Sequence, residues 1–107
     1  MSGRFLTSRL EHEVAEAAVK PGLDIPKHYQ VLLHNDDYTP MGFVVRVLER
    51  FFFLDEAKAT DLMLQVHTSG KVSCGVFTRD IAETKVGLVN EFARQHDYPL
   101  LCSMEQL

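Results

Sequence analysis

A short polar run at residues 34–39 holds the densest group of side chains that could bind a ligand, in the order His-Asn-Asp-Asp-Tyr-Thr. Asn35 and Asp36 together offer several acceptor oxygens. The run follows a stretch of strand-forming residues and precedes an amphipathic one, and functional residues are common in such connections. Asn and Asp also favour turns for structural reasons, so a capped turn without a ligand explains the run about equally well.

His67 is a second candidate, because it ends a segment whose apolar residues recur at helical spacing. A histidine near the carboxyl end of a helix is stabilised by the helix dipole, and a neutral ring can accept a hydrogen bond. A packing or capping role is the more common one at such a position. Met41, Val44, Met63 and Val66 also recur at helical spacing, which is typical of a core, although methionine is useful where a pocket must admit several side chains.

Other kinds of chemistry have weaker support. An aspartate of the run could form an acid–base pair with His67, but no motif marks a serine or cysteine nucleophile. His34, Asp36 and His67 could hold a metal ion, but no pair among them has zinc-ligand spacing. Gly70 and Gly75 do not form a phosphate-binding loop. We therefore expect no catalytic residue, no metal and no cofactor.

The elements that must position these side chains follow from local patterns. Residues 29–34 are rich in strand formers, and the Asn and Asp residues after them end the strand. Thr39 has the chemistry of an N-cap and Pro40 suits the first helical position, which predicts an amphipathic helix. Asp55 is predicted to cap a second helix, and Gly70 is suited to end it in the left-handed conformation.

The next segment, residues 71–77, alternates between apolar and small or polar residues. Such alternation predicts a strand with Val72, Cys74 and Val76 on one face and Phe77 on the other. The two cysteines of the chain, Cys74 and Cys102, lie far apart in sequence. They predict neither a disulfide framework nor a zinc site, and they favour a reducing, cytoplasmic location.

A third helix is predicted to begin at Thr78 or Asp80, where Asp80 and Glu83 have the spacing of a capping box. It ends before Pro99, and residues 100–104 are predicted to form the last strand. The order is therefore β-α-α-β-α-β. It predicts an α+β fold, a small sandwich in which a three-stranded antiparallel sheet carries three helices on one face.

The chain has 107 residues, enough for one domain, and a net charge of −4 that argues against binding a nucleic-acid backbone. No apolar stretch is long enough to span a bilayer, and the first residues lack the apolar core of a secretory signal. Residues 1–25 contain little apolar surface and end in a Pro/Gly-rich segment. We expect them to form a flexible tail before a core domain at residues 26–107.

Five motifs closely resemble the ClpS family of bacterial adaptors, which deliver N-degron substrates to the ClpAP protease. They occur in the family's order between about Pro26 and Glu105, at residues 35–41 (NDDYTPM), 59–67 (ATDLML followed by Val-His), 74–78 (CGVFT), 82–86 (AETKV) and 99–102 (PLLC). The family's fold has the same order of elements and resembles the C-terminal domain of the ribosomal stalk protein. The resemblance implies an adaptor and not an enzyme, with no cofactor.

The resemblance also implies which residues bind the substrate. Asn35, Asp36 and His67 would hold the free α-amino group of a protein that begins with Leu, Phe, Tyr or Trp. Its first side chain would enter an apolar pocket whose rim and walls are formed by Asp37, Thr39, Met41, Val44, Met63, Val66 and Leu100. Met41 resembles the family's gate against β-branched side chains, which are stiff and wide near the backbone.

The resemblance further implies a partner, the N-terminal domain of the ClpA unfoldase, which would contact Asp80 and Lys85 at the start of the third helix. We expect a monomer without nucleic-acid or membrane partners. Many family members have Glu at the position of Asp80, a longer polar residue at Gly42 and an apolar one at His34. An alternative function is a protein-interaction domain that docks on an AAA+ machine but reads another degradation signal.

Overall fold

The computed structural model describes residues 25–107, which form three strands and three helices. They are β1 (His28–His34), α1 (Met41–Phe52), α2 (Glu56–Ser69), β2 (Lys71–Thr78), α3 (Arg79–Gln95) and β3 (Leu101–Gln106). The strands pair antiparallel in the order β2-β1-β3. The predicted α+β fold and order of elements are confirmed. The predicted tail covers residues 1–25, and all of it except Ile25 lies outside the described residues.

The core lies between the helices and one face of the sheet. Its strand residues include Val31 and Leu33 of β1, with Cys74 and Cys102 from the two outer strands. Between residues 25 and 107 no polar or charged side chain is buried. Packing of apolar surface therefore stabilises this part of the chain, and each fully buried Leu or Val contributes about 1.5–3 kcal/mol. No helix in the same range is long and apolar enough to cross a membrane.

The start of α1 differs from the prediction. Pro40 is the N-cap residue and the helix begins at Met41, without a side-chain cap. Thr39 was predicted as the cap, but its hydroxyl donates to Asp36 Oδ2 at 2.8 Å. The backbone amides of Phe43 and Val44 donate to the Pro40 carbonyl instead. The Asp36 carboxylate therefore binds the Thr39 hydroxyl, which was expected to cap the helix.

Both predicted ends of α2 are confirmed. The Asp55 carboxylate accepts a hydrogen bond from the Lys58 amide at 2.8 Å. Gly70 adopts the left-handed conformation at φ 92° and donates its amide to the Val66 carbonyl at 2.9 Å. Gly70 is needed here because a side chain is disfavoured at positive φ.

The predicted assignment of side chains to the two faces of β2 is wrong for the residues after Cys74. A bulge at Cys74 places Gly75 opposite Val31 and Ser73 opposite Leu32, so the alternation shifts by one residue. Phe77 therefore packs against the core, and Val76 is 51% exposed on the other face.

The start of α3 follows one of the two predicted alternatives. Its N-cap is Thr78, without a side-chain hydrogen bond, so the capping box between Asp80 and Glu83 does not form. Glu83 instead accepts from Arg79 Nε at 3.2 Å, one helical turn away. The helix ends at Gln95, before Pro99 as expected.

We predict that Gly75→Ala destabilises the domain by about 1–3 kcal/mol, because a Cβ there would lie 2.7 Å from Cζ of the Phe77 ring. Urea denaturation measures the change. Gly87→Ala is the matched control: Gly87 lies in α3 with nothing within 4 Å of its added Cβ, so alanine should stabilise by about 0.5–1 kcal/mol. Equal effects of the two substitutions would contradict the close approach at Gly75.

We also predict that both thiols resist alkylation in the folded chain. Burial raises the pKa of Cys74 to about 12 and that of Cys102 to about 12, above the ordinary 9.0. Because the folded pKa is the higher one, the resulting stabilisation is complete below pH 9 and is lost as the pH rises from 9 to 12. Iodoacetamide at pH 8 should react slowly with the folded chain and fast in urea. Rapid reaction without urea would refute the burial.

Candidate functional site

A cleft of about 330 Å³ opens between the connection after β1, the first turns of α1 and the last turns of α2. The connection and one face of each helix line it, and their residues are Asn35, Asp36, Asp37, Tyr38, Thr39, Pro40, Met41, Val44, Met63, Val66 and His67. The cleft has the size of a small-ligand site. Its lining combines polar groups on one side with apolar side chains on the other.

One backbone hydrogen bond brings the two polar candidates together. The Asn35 amide donates to the Gly70 carbonyl at 2.8 Å, which ties the end of β1 to the end of α2. His67 lies in the last turn of α2, three residues before Gly70. Because the connection is anchored at this point, Asn35 and His67 line the same cleft although 32 positions separate them in the sequence.

The Asp36 carboxylate organises the connection itself. Its Oδ1 accepts from the amides of Tyr38 and Thr39 at 2.8 and 2.7 Å, and its Oδ2 accepts from the Thr39 hydroxyl at 2.8 Å. An ionised carboxylate has about four acceptor sites, so about one remains free. Asp36 therefore shapes the rim and still has an acceptor for a ligand.

The apolar side of the cleft is formed by both helices. Val44 of α1, with Met63 and Val66 of α2, is buried and forms its floor. Met41 is 48% exposed and lies at the start of α1, at the mouth of the cleft. Unbranched methionines on the floor and at the mouth can adapt to side chains of different shape.

The polar side favours a cation that can donate several hydrogen bonds. The side chains of Asn35 and His67 are exposed and form no hydrogen bond with any other residue of the described range. Asp36 and Asp37 add negative charge, and the nearby carboxyl end of α2 carries the negative end of the helix dipole. The cleft can therefore bind an ammonium group next to an apolar side chain.

Most of the predicted site residues meet in this cleft: all three of the proposed amine site, and Asp37, Thr39, Met41, Val44, Met63 and Val66 of the proposed pocket. Leu100 does not line it; this residue is buried in the core cluster just before β3. Tyr38 and Pro40 also line the cleft, although the sequence did not predict them as site residues. Only their position inside the run from Asn35 to Met41 indicates from the sequence that they lie in the cleft.

The predicted docking residues lie elsewhere, on α3. Asp80 is exposed in its first turn and borders a larger depression of about 620 Å³ formed with residues 25–29, at the opposite end of β1 from the cleft. None of the residues that line this depression is buried, so it lacks the apolar floor of the smaller cleft, which is the better site. Lys85 is half-buried, and its ammonium donates to the Phe51 carbonyl at 2.7 Å. No group of three or more His, Cys, Asp or Glu residues in the described range could hold a metal ion.

Comparison with known proteins assigns the family. The model of the family described as ATP-dependent Clp protease adaptor protein ClpS matches residues 24–103. The ATP-dependent Clp protease adapter protein ClpS of Xanthomonas oryzae pv. oryzae (strain MAFF 311018) is 56% identical over 96 residues, which cover 90% of this chain and 91% of that protein. The protein of the same name from Escherichia coli O1:K1 is 53% identical over 94 residues, covering 88% and 89%.

A solved structure agrees with these relatives. The structure of Agrobacterium tumefaciens ClpS2 bound to L-phenylalaninamide aligns with a TM-score of 0.76 and 37% identity, covering 78% of this chain and all of that one. This chain therefore belongs to the ClpS family of Clp protease adaptors.

We predict that Asp36→Ala destabilises the domain by about 1–3 kcal/mol, because two amides and a hydroxyl lose their acceptor. Thr39→Val removes only the hydroxyl contact and should cost about 1 kcal/mol. Chemical denaturation measures both. Asp37→Ala, which removes an exposed neighbouring carboxylate, is the matched control and should change stability little. An Asp36→Ala variant as stable as this control would contradict the organising role of Asp36.

Proposed function

We propose that the chain is an adaptor that binds proteins bearing a destabilising N-terminal residue (Leu, Phe, Tyr or Trp) and delivers them to the ClpA unfoldase of the ClpAP protease. One observation supports this most: acceptors for an ammonium group and a buried apolar floor line the same cleft. An N-terminal residue carries these two features on one carbon atom, its free α-amino group and its side chain.

The α-amino group is held by Asn35, Asp36 and His67. It is a cation with three donors, and these side chains can supply an amide oxygen, a carboxylate oxygen and a neutral ring nitrogen. Hydrogen bonds to a charged group contribute roughly 1.5–3 kcal/mol each. An acetylated terminus has neither the charge nor the room for these contacts, so it is refused.

The first side chain lies on the floor of Val44, Met63 and Val66. Burying a Leu or Phe side chain contributes about 1.5–3 kcal/mol. Together with the amine contacts, and less the several kcal/mol that association costs, this corresponds to roughly micromolar affinity. Met41 at the mouth excludes the wide Cβ of Ile and Val. The ClpS2 protein of A. tumefaciens was solved with L-phenylalaninamide, a free amine with an aromatic side chain, which supports this assignment by homology.

Delivery requires a second surface, and we place it around Asp80 and Lys85 at the start of α3. It shares no residue with the lining of the cleft, so cargo and unfoldase can bind together. In this proposal the tail of residues 1–25 is engaged by the unfoldase, and the chain acts as a cytoplasmic monomer without nucleic-acid or membrane partners. It performs no catalysis and uses no cofactor.

We predict that labelled peptides differing only in their first residue bind with a distinct pattern in fluorescence anisotropy. Leu and Phe peptides should bind with roughly micromolar or better affinity. Ile and Met peptides should bind more weakly. N-acetyl-Leu should bind at least tenfold more weakly, since it loses a charge-assisted hydrogen bond.

The shared sequence after the first residue is the internal control for this series. Equal binding of all the peptides, or binding of none, would overturn the proposal. A domain that docks on an AAA+ machine and reads another signal would then explain the family relationship better.

A further inference from the structure

We propose that an acidic segment of this chain, residues 10–16, docks on a surface between α1 and the second half of α3. This surface consists of Arg46, Arg50, Phe51, Leu88 and Phe92 and is called the Arg46 patch below. The docking itself goes beyond the proposed function, because it requires neither cargo nor unfoldase. Its effect on delivery rests on the proposed function.

The two arginines of α1 are the first indication, because aromatic rings hold both of them in place. The Cζ atom of Arg46 lies 5.6 and 5.9 Å from the ring centroids of Phe43 and Phe92. The Cζ atom of Arg50 lies 5.4 and 4.8 Å from the centroids of Phe51 and Phe92. These are cation–π distances. Since a guanidinium over a ring keeps the N–H groups on its edge, each arginine presents a fork of donors.

Neither guanidinium has an acidic partner among residues 25–107. The salt bridges of that range are Lys71–Glu105, Arg79–Glu83 and Arg94–Glu91. Glu49, the one acidic residue of α1, forms a salt bridge with neither arginine. Arg46 and Arg50 are exposed and one helical turn apart, so this surface is positive although the chain has a net charge of −4. It suits a pair of carboxylates, which guanidinium groups bind through two parallel hydrogen bonds.

An apolar depression of about 200 Å³ lies beside the arginines. Its lining residues are Arg50, Phe51, Leu88, Glu91, Phe92 and Gln95. Leu88 is 50% exposed, and the Glu91 carboxylate is already paired with Arg94. The depression can therefore accept an aliphatic side chain while a neighbouring carboxylate binds Arg50.

The acidic segment has the complementary composition. Its sequence is Leu-Glu-His-Glu-Val-Ala-Glu, with three carboxylates, two larger aliphatic side chains and no lysine or arginine. Glu13 lies three residues after Leu10, and Glu16 lies two residues after Val14. In the proposed docking these carboxylates bind the two guanidinium groups, and one of the aliphatic side chains fills the depression.

The length of chain before Ile25 permits this contact. Ile25 and Asp80 border the same depression at the start of α3. Leu88 and Glu91 lie eight and eleven residues further along this helix, which corresponds to about 12–17 Å. Residues 17–24 can span at most about 26–29 Å. They are long enough to bring the segment to the Arg46 patch, and a segment tethered so closely has an effective concentration of about millimolar.

Docking of the acidic segment would delay delivery. In the proposed function the unfoldase engages the tail of residues 1–25. The Arg46 patch then competes with the unfoldase for this tail, so delivery starts only from the undocked form. In a degradation assay with the unfoldase and its protease, Arg46→Glu with Arg50→Glu should deliver a Leu-initiated protein faster than the parent chain. An equal rate would refute this effect on delivery.

Paramagnetic NMR of the full chain tests the docking itself. A nitroxide is attached at Ala18→Cys, just outside the acidic segment, while the two native cysteines are buried and stay unlabelled. The amide signals of Arg46, Arg50 and Leu88 should lose at least half of their intensity. The amide signal of Val76, on the outer face of the sheet, should be unchanged. No loss at the Arg46 patch, or the same loss at Val76, would overturn the docking.

Charge reversal tests which groups form the contact. Arg46→Glu with Arg50→Glu should abolish the loss of signal, because the patch then repels the carboxylates. Glu13→Arg with Glu16→Arg should do the same and leaves the folded domain unaltered. The four substitutions together should restore the loss of signal, since each reversed charge again faces an opposite one. If both reversals leave the loss of signal as in the parent chain, the ion pairs are refuted.

Two controls accompany these measurements. Lys58→Glu with Lys71→Glu changes the net charge equally at exposed positions on α2 and β2, and should leave the loss of signal unchanged. If this variant also abolishes it, net charge and not the Arg46 patch is responsible. A mixture of nitroxide-labelled chains with 15N-labelled chains that lack the nitroxide should show no loss. A loss in this mixture would show that the segment binds a second copy, which would overturn docking within one chain.

Peptide binding separates a failure of this inference from a failure of the proposed function, because the NMR samples contain neither cargo nor unfoldase. If the segment docks but no Leu or Phe peptide binds, the docking stands and the proposed function fails. If the peptides bind and the segment does not dock, the inference is refuted and the adaptor function stands.

Discussion

The cleft depends on how the connection between β1 and α1 is held in place. This connection contributes no buried side chain, so apolar packing cannot fix it. Two sets of polar contacts do so instead: the amide of Asn35 on the carbonyl of Gly70, and the carboxylate of Asp36 on the amides and hydroxyl that follow it. The first sets the distance between the connection and α2, and the second sets its internal shape. In the proposed function this preorganises the Asp36 carboxylate for the α-amino group, which lowers the entropic cost of binding.

The ends of two helices have parallel roles in the two proposed surfaces. The carboxyl end of α2, closed by Gly70, faces the cleft and favours a cation there. The carboxyl end of α1 is closed by the left-handed Phe53 and receives the ammonium of Lys85. In the first case the chain leaves the negative end of the dipole available to a ligand. In the second the ammonium of Lys85 neutralises that end within the chain.

Features fixed by neighbouring residues could be predicted from the sequence. The order of elements, the cap at Asp55 and the left-handed Gly70 all follow from local pattern, and the structure confirms them. Where a second contact competes for the same group or shifts the register of a strand, the predictions were wrong. Asp36 accepts a hydrogen bond from the Thr39 hydroxyl, which therefore does not cap α1. Pairing of β2 with β1 creates the bulge that turns Val76 outward.

The same distinction applies to the candidate site. The polar run is contiguous, and it lines one cleft together with Met63 and His67 of α2. The resemblance also placed Leu100 in the pocket, but whether a buried side chain faces the core or a cleft depends on the packing of the whole domain. Leu100 packs in the core cluster. The exposed ring of Phe53 has no signal in the sequence, since a third phenylalanine after Phe51 and Phe52 resembles the end of an apolar stripe.

The most direct test of the account is a crystal structure of the chain with a short peptide that begins with leucine. The account predicts that the α-amino nitrogen lies within hydrogen-bond distance of Asn35, Asp36 and His67. It also predicts that the leucine side chain contacts Val44, Met63 and Val66, and that Asp36 keeps its bonds to the connection. An amine that faces solvent, or a peptide bound at any other surface, would contradict it.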